Sequence, residues 1–303
     1  MRPVDFDGAA PVIDAQRRAF ASIGPMTPRS RHAQPVMRTR RPPVAAPLVI
    51  AGLALVALAV TLATCMGGAS ERTGAEAYVS PYDWSGLQAD GGRLAYYEEG
   101  ELRSDLGVDV SSHQGDIDWQ AVANDGMDFA FVRLGNRGYT EGALYADELA
   151  GINLDGASAA GLETGAYFFS QAVTADEARE EAEFALRILD GRALDLPIVY
   201  DHEPVPDAEG RANHMAGEEL AACARAFCER IEQAGYQAMV YGNKQDIARF
   251  GANSIGNRPV WFAEYDVAVP TGQFDFALWQ YTNGGSVAGI DTAVDLNIRF
   301  LTD

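Results

Sequence analysis

The chain has 303 residues, is 48% hydrophobic and carries 43 acidic against 23 basic side chains, a formal charge of −20. The charge is uneven: residues 1–66 hold eight Arg and three Asp, a balance of +5, and the rest holds 15 basic and 40 acidic residues, a balance of −25. A body so acidic repels phosphate backbones, which excludes nucleic acid as a partner.

From Ala45 to Ala69 no residue is charged, and Leu48 to Met66 is almost wholly apolar. About 20 such residues suffice to cross a hydrocarbon core of about 30 Å. Five arginines (Arg29, Arg31, Arg38, Arg40, Arg41) stand just before this run, while Glu71, Arg72 and Glu76 follow it. The positive-inside bias then predicts a single-pass anchor with a cytoplasmic N-terminus and everything beyond about Thr73 outside. Cleavage after Ala69, or lipidation at Cys65, would export the same domain. The expected organisation is a disordered cytoplasmic tail (1–43), a transmembrane helix (44–66), a juxtamembrane connector (67–104) and one folded domain (105–303). The clusters Tyr82-Asp83-Trp84 and Leu94 to Tyr97 suggest partial order in the connector, as a short hairpin on the main domain.

From residue 105 short apolar runs alternate with helical patterns. Strands are predicted at Leu106–Val110, Phe129–Leu134, Thr164–Phe169, Pro197–Asp201, Gln237–Tyr241, Pro259–Ala263, Phe276–Tyr281 and Ala293–Leu296. Helices are predicted at Thr174–Leu189, where Thr174 and Glu177 form a capping-box pattern, and at Glu218–Gly235, with glycine at its end. Eight strands with interspersed helices in about 200 residues indicate an α/β fold, an irregular TIM-like (β/α) barrel with an incomplete helical ring; a flat doubly wound sheet is the alternative. No glycine-rich nucleotide motif follows a strand. Cys223 and Cys228 lie about 140° apart on a helix, poorly placed for a disulfide, and read as small buried residues.

In such barrels the chemistry collects at the C-terminal strand ends. These ends read Gly107-Val108-Asp109, Tyr200-Asp201-His202-Glu203 and Val294-Asp295-Leu296-Asn297. Asp201 and Glu203 are two apart, so an extended chain projects them from one face. Barrel closure makes Asp109 and Asp295 neighbours, and four carboxylates then share one mouth. Two carboxyls whose pKa values repel each other apart are what glycosidic cleavage needs, one protonated to donate and one ionised to stabilise the sugar cation. Tyr167, Trp279 and Tyr281 are the aromatic candidates for stacking on sugar, whereas Phe169 and Trp261 read as core. A metal site from His113, His202, His214 and Asp201 lacks ligand spacing, so no metal or other cofactor is expected.

Together these segments resemble glycoside hydrolase family 25, the lysozymes that cut between N-acetylmuramic acid and N-acetylglucosamine. The resemblance runs from about Gly107 to Asn297. It rests on Gly-Val-Asp109-Val-Ser-Ser-His-Gln114-Gly, Phe-Val-Arg133-Leu-Gly, Gly165-Ala-Tyr167-Phe-Phe, Asp201-His-Glu203, Val-Tyr241-Gly-Asn, Val-Trp261-Phe-Ala-Glu-Tyr265, Leu-Trp279-Gln280-Tyr281 and Val-Asp295-Leu-Asn. It implies a retaining enzyme acting on peptidoglycan glycan strands as a single copy. Glu203 would be the proton donor, and Asp201 either the nucleophile or the group orienting the substrate acetamide. Asp109 and Asp295 would position substrate, with Tyr167, Tyr241, Trp279, Gln280 and Tyr281 lining the site. Members of the family often carry Tyr-His-Phe where this chain has Tyr167-Phe168-Phe169. A non-catalytic glycan-binding or scaffold domain is the alternative function.

Overall fold

The computed structural model describes residues 78–205 and 209–301. The predicted tail and membrane helix lie outside these residues. Among the described residues no helix is long and apolar enough to cross a membrane.

The chain opens with three short antiparallel strands, β1 (Leu87–Asp90), β2 (Arg93–Glu98) and β3 (Glu101–Leu102), then β4 (Ser104–Val110) and α1 (Trp119–Asn124). Next come β5 (Phe129–Arg137), β6 (Leu144–Ala146), α2 (Ala150–Ala159), β7 (Glu163–Phe169), α3 (Ala175–Leu189) and β8 (Ile198–Asp201). The remainder is α4 (Gly217–Gln233), β9 (Ala238–Asn243), α5 (Lys244–Phe250), β10 (Val260–Ala263), β11 (Leu278–Gly285) and β12 (Val294–Phe300). Helix α3 starts where expected, because the Thr174 side chain accepts from the Glu177 amide at 3.2 Å. Gly235, at φ +91°, turns the chain out of α4 in a conformation a side chain disfavours.

Strands β4, β5, β7, β8, β9, β10, β11 and β12 close into a barrel, since β4 pairs with both β5 and β12, and β6 is added at the edge on β5. The barrel strands are parallel except β12, which runs antiparallel to both β4 and β11; the added β6 is antiparallel to β5. The eight predicted strands are therefore all present, with one consequence the reading of strand ends did not contain. Asp295 reaches the mouth at the start of its strand, not at its C-terminal end.

Both faces of the barrel strands are buried, and alternation sorts the side chains into two cores. Phe129, Phe131, Val199, Met239, Tyr241, Trp261, Ala263 and Leu278 fill the lumen. Ala130, Val132, Leu134, Tyr200, Val240, Phe262 and Trp279 join the layer outside it. Lumen space is tight. A Cβ on Gly107 would stand 2.3 Å from the Phe129 ring, which is fully buried and cannot swing away. Gly107→Ala is expected to cost about 1–3 kcal/mol by overpacking; a thermal melt that matches wild type would contradict this.

The C-terminal part of the predicted connector holds the short hairpin expected there, extended by a third strand and packed on the main domain. From Val79 the chain belongs to the same compact unit as the barrel. The three-stranded sheet and the turn before it carry Tyr82, Trp84 and Tyr96 onto Phe276 and Phe300. The Tyr82 and Phe300 centroids are 4.4 Å apart, and Trp84 stacks on Phe276 at 6.1 Å. Tyr82 Oη donates to the Phe276 carbonyl at 2.7 Å, and Arg93 Nη2 donates to Asp125 at 2.6 Å and to the Ser286 carbonyl at 3.0 Å. Phe276 precedes β11 and Phe300 ends the antiparallel β12, so this aromatic cluster packs in the outer layer near the end of the barrel opposite the mouth.

Candidate active site

The antiparallel pairing of β4 and β12 sets Asp109 directly opposite Asp295, in the predicted neighbour relation. Asp109 is 6% exposed, and its Oδ2 accepts from Gln280 Nε2 and Asn297 Nδ2, each at 2.8 Å. Each amide is itself fixed from behind. Trp261 Nε1 donates to Asn297 Oδ1 at 2.8 Å, while the Tyr241 and Tyr265 hydroxyls donate to Gln280 Oε1 at 2.8 and 2.5 Å. The amides can therefore present only N–H to the carboxylate, which makes a rigid floor to the mouth. Burial pushes the Asp109 carboxyl up, against the pull of the two amides.

Strand β8 ends at Asp201, beside Tyr241 on β9 and Phe169 on β7. Residues 202–205 leave the strand, and Glu203 is half-buried just beyond it, its carbonyl accepting from Gln171 Nε2 at 2.9 Å. Asp201 Oδ1 is buried with no hydrogen-bond partner. Burial, then the nearby charges of Glu203, Asp109 and Asp246, push the Asp201 carboxyl well above its ordinary range; Arg133 opposes them. Burial likewise pushes Glu203 up to about 7, with Asp246 and then Asp109 adding to the shift. The site thus holds at least one carboxyl that keeps its proton near neutrality, the property a proton donor requires.

Tyr167 projects into the lumen mouth, its ring 6.3 Å from Trp261 and its hydroxyl in the field of Arg133, Asp109 and Asp201. Phe169 shares that face of β7 and is partly exposed rather than core. Trp261 is core, as expected, but core of the lumen, stacked on Phe131 at 4.7 Å directly below the acids. Trp279 and Tyr281 require correction. Gln280 points into the lumen, so its two neighbours on β11 point out. Trp279 is 1% exposed and donates to the Glu264 carbonyl at 2.8 Å, and Tyr281 packs against it in the outer layer at 5.9 Å. Neither ring faces the acids.

Four residues quoted within the motifs or adjacent to them also belong to the site. Asn297 and Tyr265 complete the floor. Arg133 reaches the mouth, anchored by Nε to Asp147 at 2.9 Å, and Asp246 stands at the start of α5 beside Glu203. The signal for Asn297 was present, since it lies two residues beyond Asp295 on a strand. Asp246 carried none, because its approach depends on the turn between β9 and α5.

A closed barrel whose mouth gathers Asp109, Asp201, Glu203 and Asp295, with burial pushing Glu203 up to about 7, has the paired carboxyls of a site at which glycosidic bonds are cut. The chain belongs to the glycosyl hydrolases family 25, whose sequence pattern matches residues 108–290. It is 27% identical over 191 residues to an autolytic lysozyme of Clostridium acetobutylicum, covering 63% of this chain and 54% of that protein, so it spans about half the length of that relative. Over 278 residues it is 27% identical to lysozyme M1 of Streptomyces globisporus, covering 86% of this chain and 91% of that one. The crystal structure of the bacterial lysozyme from Streptomyces coelicolor superposes with a TM-score of 0.55 at 26% identity, over 66% of this chain and 93% of that one.

Proposed function

We propose that this protein is a muramidase that hydrolyses the β-1,4 bond between N-acetylmuramic acid and N-acetylglucosamine in peptidoglycan, with retention at the anomeric carbon. The observation that carries the reading is the gathering of Asp201 and Glu203 at the barrel mouth with the Asp109 floor, where burial pushes the Glu203 carboxyl up to about 7. Glu203 donates its proton to the leaving oxygen and then takes one from the incoming water. Asp201 acts at the opposite side of the reaction, as nucleophile or by orienting the 2-acetamido carbonyl that attacks the anomeric carbon. Asp109, Asp295, Gln280 and Tyr241 fix the sugar through the floor described above, and Tyr167 offers the aromatic face. The family membership and the lysozyme relatives support the substrate class.

Mass spectrometry of digested peptidoglycan tests this directly. New reducing ends on muramic acid are expected; ends on glucosamine, or intact glycan with bound protein, would refute it. The second of those outcomes is the one a non-catalytic glycan-binding domain produces. Because Glu203 titrates at about 7 through burial, the rate of muropeptide release should fall as pH rises through that value, as the donor loses its proton. Initial rates across a pH series check this, and a flat profile to about pH 9 would contradict it.

The same reading places the domain on the wall side of the cell membrane, as a single copy held by residues 44–66. Support comes from the uncharged run and the arginines before it. Protease added to intact spheroplasts should remove the domain while leaving a membrane-bound N-terminal fragment; full protection of the domain would reverse the orientation.

A further inference from the structure

Strand β5 outruns its neighbour β4. Their pairing ends at Val110 and Val132, and the last residues of β5, Gly135 to Arg137, pair instead with the antiparallel β6. Gly135 permits the exchange, because a Cβ there would stand 2.3 Å from the Tyr145 carbonyl. The result is a two-stranded ribbon that continues the barrel wall past the end of β4, the strand that carries Asp109. The register against β7 slips between Arg133 and Gly135, and this bulge turns Asn136 to the inner face of the wall.

Register then sets one row across four strands. Tyr145 on β6 is opposite Asn136 on β5, Asn136 is level with Phe169 on β7, and Phe169 is level with Asp201 on β8. Directly paired residues point to the same side of a sheet, and Asp201 shares the inner side with Val199. The contacts of the far side agree. Leu144 packs in the outer layer, and Arg137 Nε donates to Glu181 at 2.8 Å behind the ribbon. At about 4.8 Å per strand the row runs about 14 Å along the wall from Asp201 to Tyr145, longer than a single sugar unit.

Packing does not account for these side chains. Phe169 is partly exposed and belongs to neither core. Tyr145 is 43% exposed, although its hydroxyl is held by Glu141 Oε1 at 3.0 Å. The Asn136 carboxamide is partly exposed and bonds no other described residue. Two rings flanking a free carboxamide suit a pyranose. The rings take its apolar face, and the amide can both donate to and accept from a hydroxyl or acetamide. Charge narrows the occupant further. The row offers no cation to the carboxylates of a peptide stem, since Arg133 is bonded to Asp147 and Arg137 turns to Glu181 on the other face.

We propose that Phe169, Asn136 and Tyr145 form a further glycan subsite, which takes the sugar units that run on from the cut bond toward β6. The proposal rests on the muramidase reading for the site that it extends. It makes efficiency depend on strand length: fragments that end at the mouth leave the row empty, and longer ones fill it.

The test uses the full chain and glycan fragments of increasing length purified from peptidoglycan. In wild type kcat/KM should rise with length until the row is filled. Tyr145→Ala and Phe169→Leu should each lower kcat/KM for long fragments by about fivefold, chiefly through KM, with the loss shrinking as fragments shorten. Tyr145→Phe and Phe169→Tyr, which keep the rings, should restore the length dependence. An equal loss at every length, or none at any, would overturn the proposal. If Tyr145→Ala does not fold, as a melt would show, Phe169→Leu is read in the same way. Calorimetry of fragment binding to Glu203→Gln, with and without Tyr145→Ala, is independent of turnover. If wild type cleaves no fragment, the muramidase reading fails; weaker binding of long fragments on Tyr145→Ala then still upholds the subsite, and unchanged binding overturns it.

Discussion

Replacing Glu203 by Gln is expected to lower muropeptide release by about three orders of magnitude while making the protein more stable at alkaline pH. The loss follows from removal of the carboxyl at the mouth that burial pushes up to about 7; general acid catalysis commonly contributes 10²- to 10⁴-fold, here placed at about 10³. The gain follows from linkage. With a folded-state value of about 7 against an ordinary 4.5, Glu203 holds its proton in the fold at pH values where the unfolded chain has released it. Its contribution to stability is therefore complete below about 4.5 and is lost as pH rises through about 7. Glutamine has no proton to lose. At pH 8 the variant should exceed wild type by about 1–3 kcal/mol, the full shift being discounted for the partial exposure of Glu203, and at pH 4 the two should agree. Paired melts at the two pH values, with binding to insoluble glycan kept, would check this; a variant that is inactive and also less stable at both would point to misfolding instead.

A chain that begins at Ser104 is expected not to fold, even though it retains every barrel strand and all of residues 108–290. It lacks Tyr82, Trp84 and Tyr96, which cover Phe276 and Phe300 in the outer layer of the barrel. Removing a large buried aromatic costs about 3–5 kcal/mol. Three such losses, even reduced for the partial exposure of Tyr82 and Trp84, match the whole margin of about 5–15 kcal/mol by which a domain is stable. The deletion also strips the partner strands that cover β4 on that side, including the Tyr96 amide bond to Ser104 Oγ at 2.9 Å. A chain beginning at residue 78 should melt cooperatively, and the one beginning at 104 should show no cooperative transition and should aggregate. A folded, active protein from residue 104 onward would show that the small sheet is an accessory after all.

These two outcomes separate the parts of the molecule by how they are encoded. The carboxyl pair is local: Asp201 ends β8 and Glu203 follows two residues on, just beyond the strand, so the chain itself keeps them near each other. The aromatic cluster is not local: Tyr82 and Phe276 are 194 residues apart in the chain, and Phe300 joins them because β12 runs antiparallel and returns its end to the side where β11 begins.

What the sequence by itself determined was the period and order of the strands, and hence the barrel, the mouth and the carboxyls at it. Apolar runs bounded by turns and acids two apart on a strand are statements about neighbours in the chain, which hydrophobic alternation makes legible. Only the tertiary structure decided which side of each strand faces the lumen. The alternation of β11 assigns Gln280 to the site and turns Trp279 and Tyr281 away, yet both faces are buried, so hydrophobicity does not mark one as inner. The same holds for Asn297, Tyr265 and Asp246. Their roles arise from distances between strands and a helix turn, fixed by closure of the sheet, and a linear pattern carries no record of a distance that closure creates.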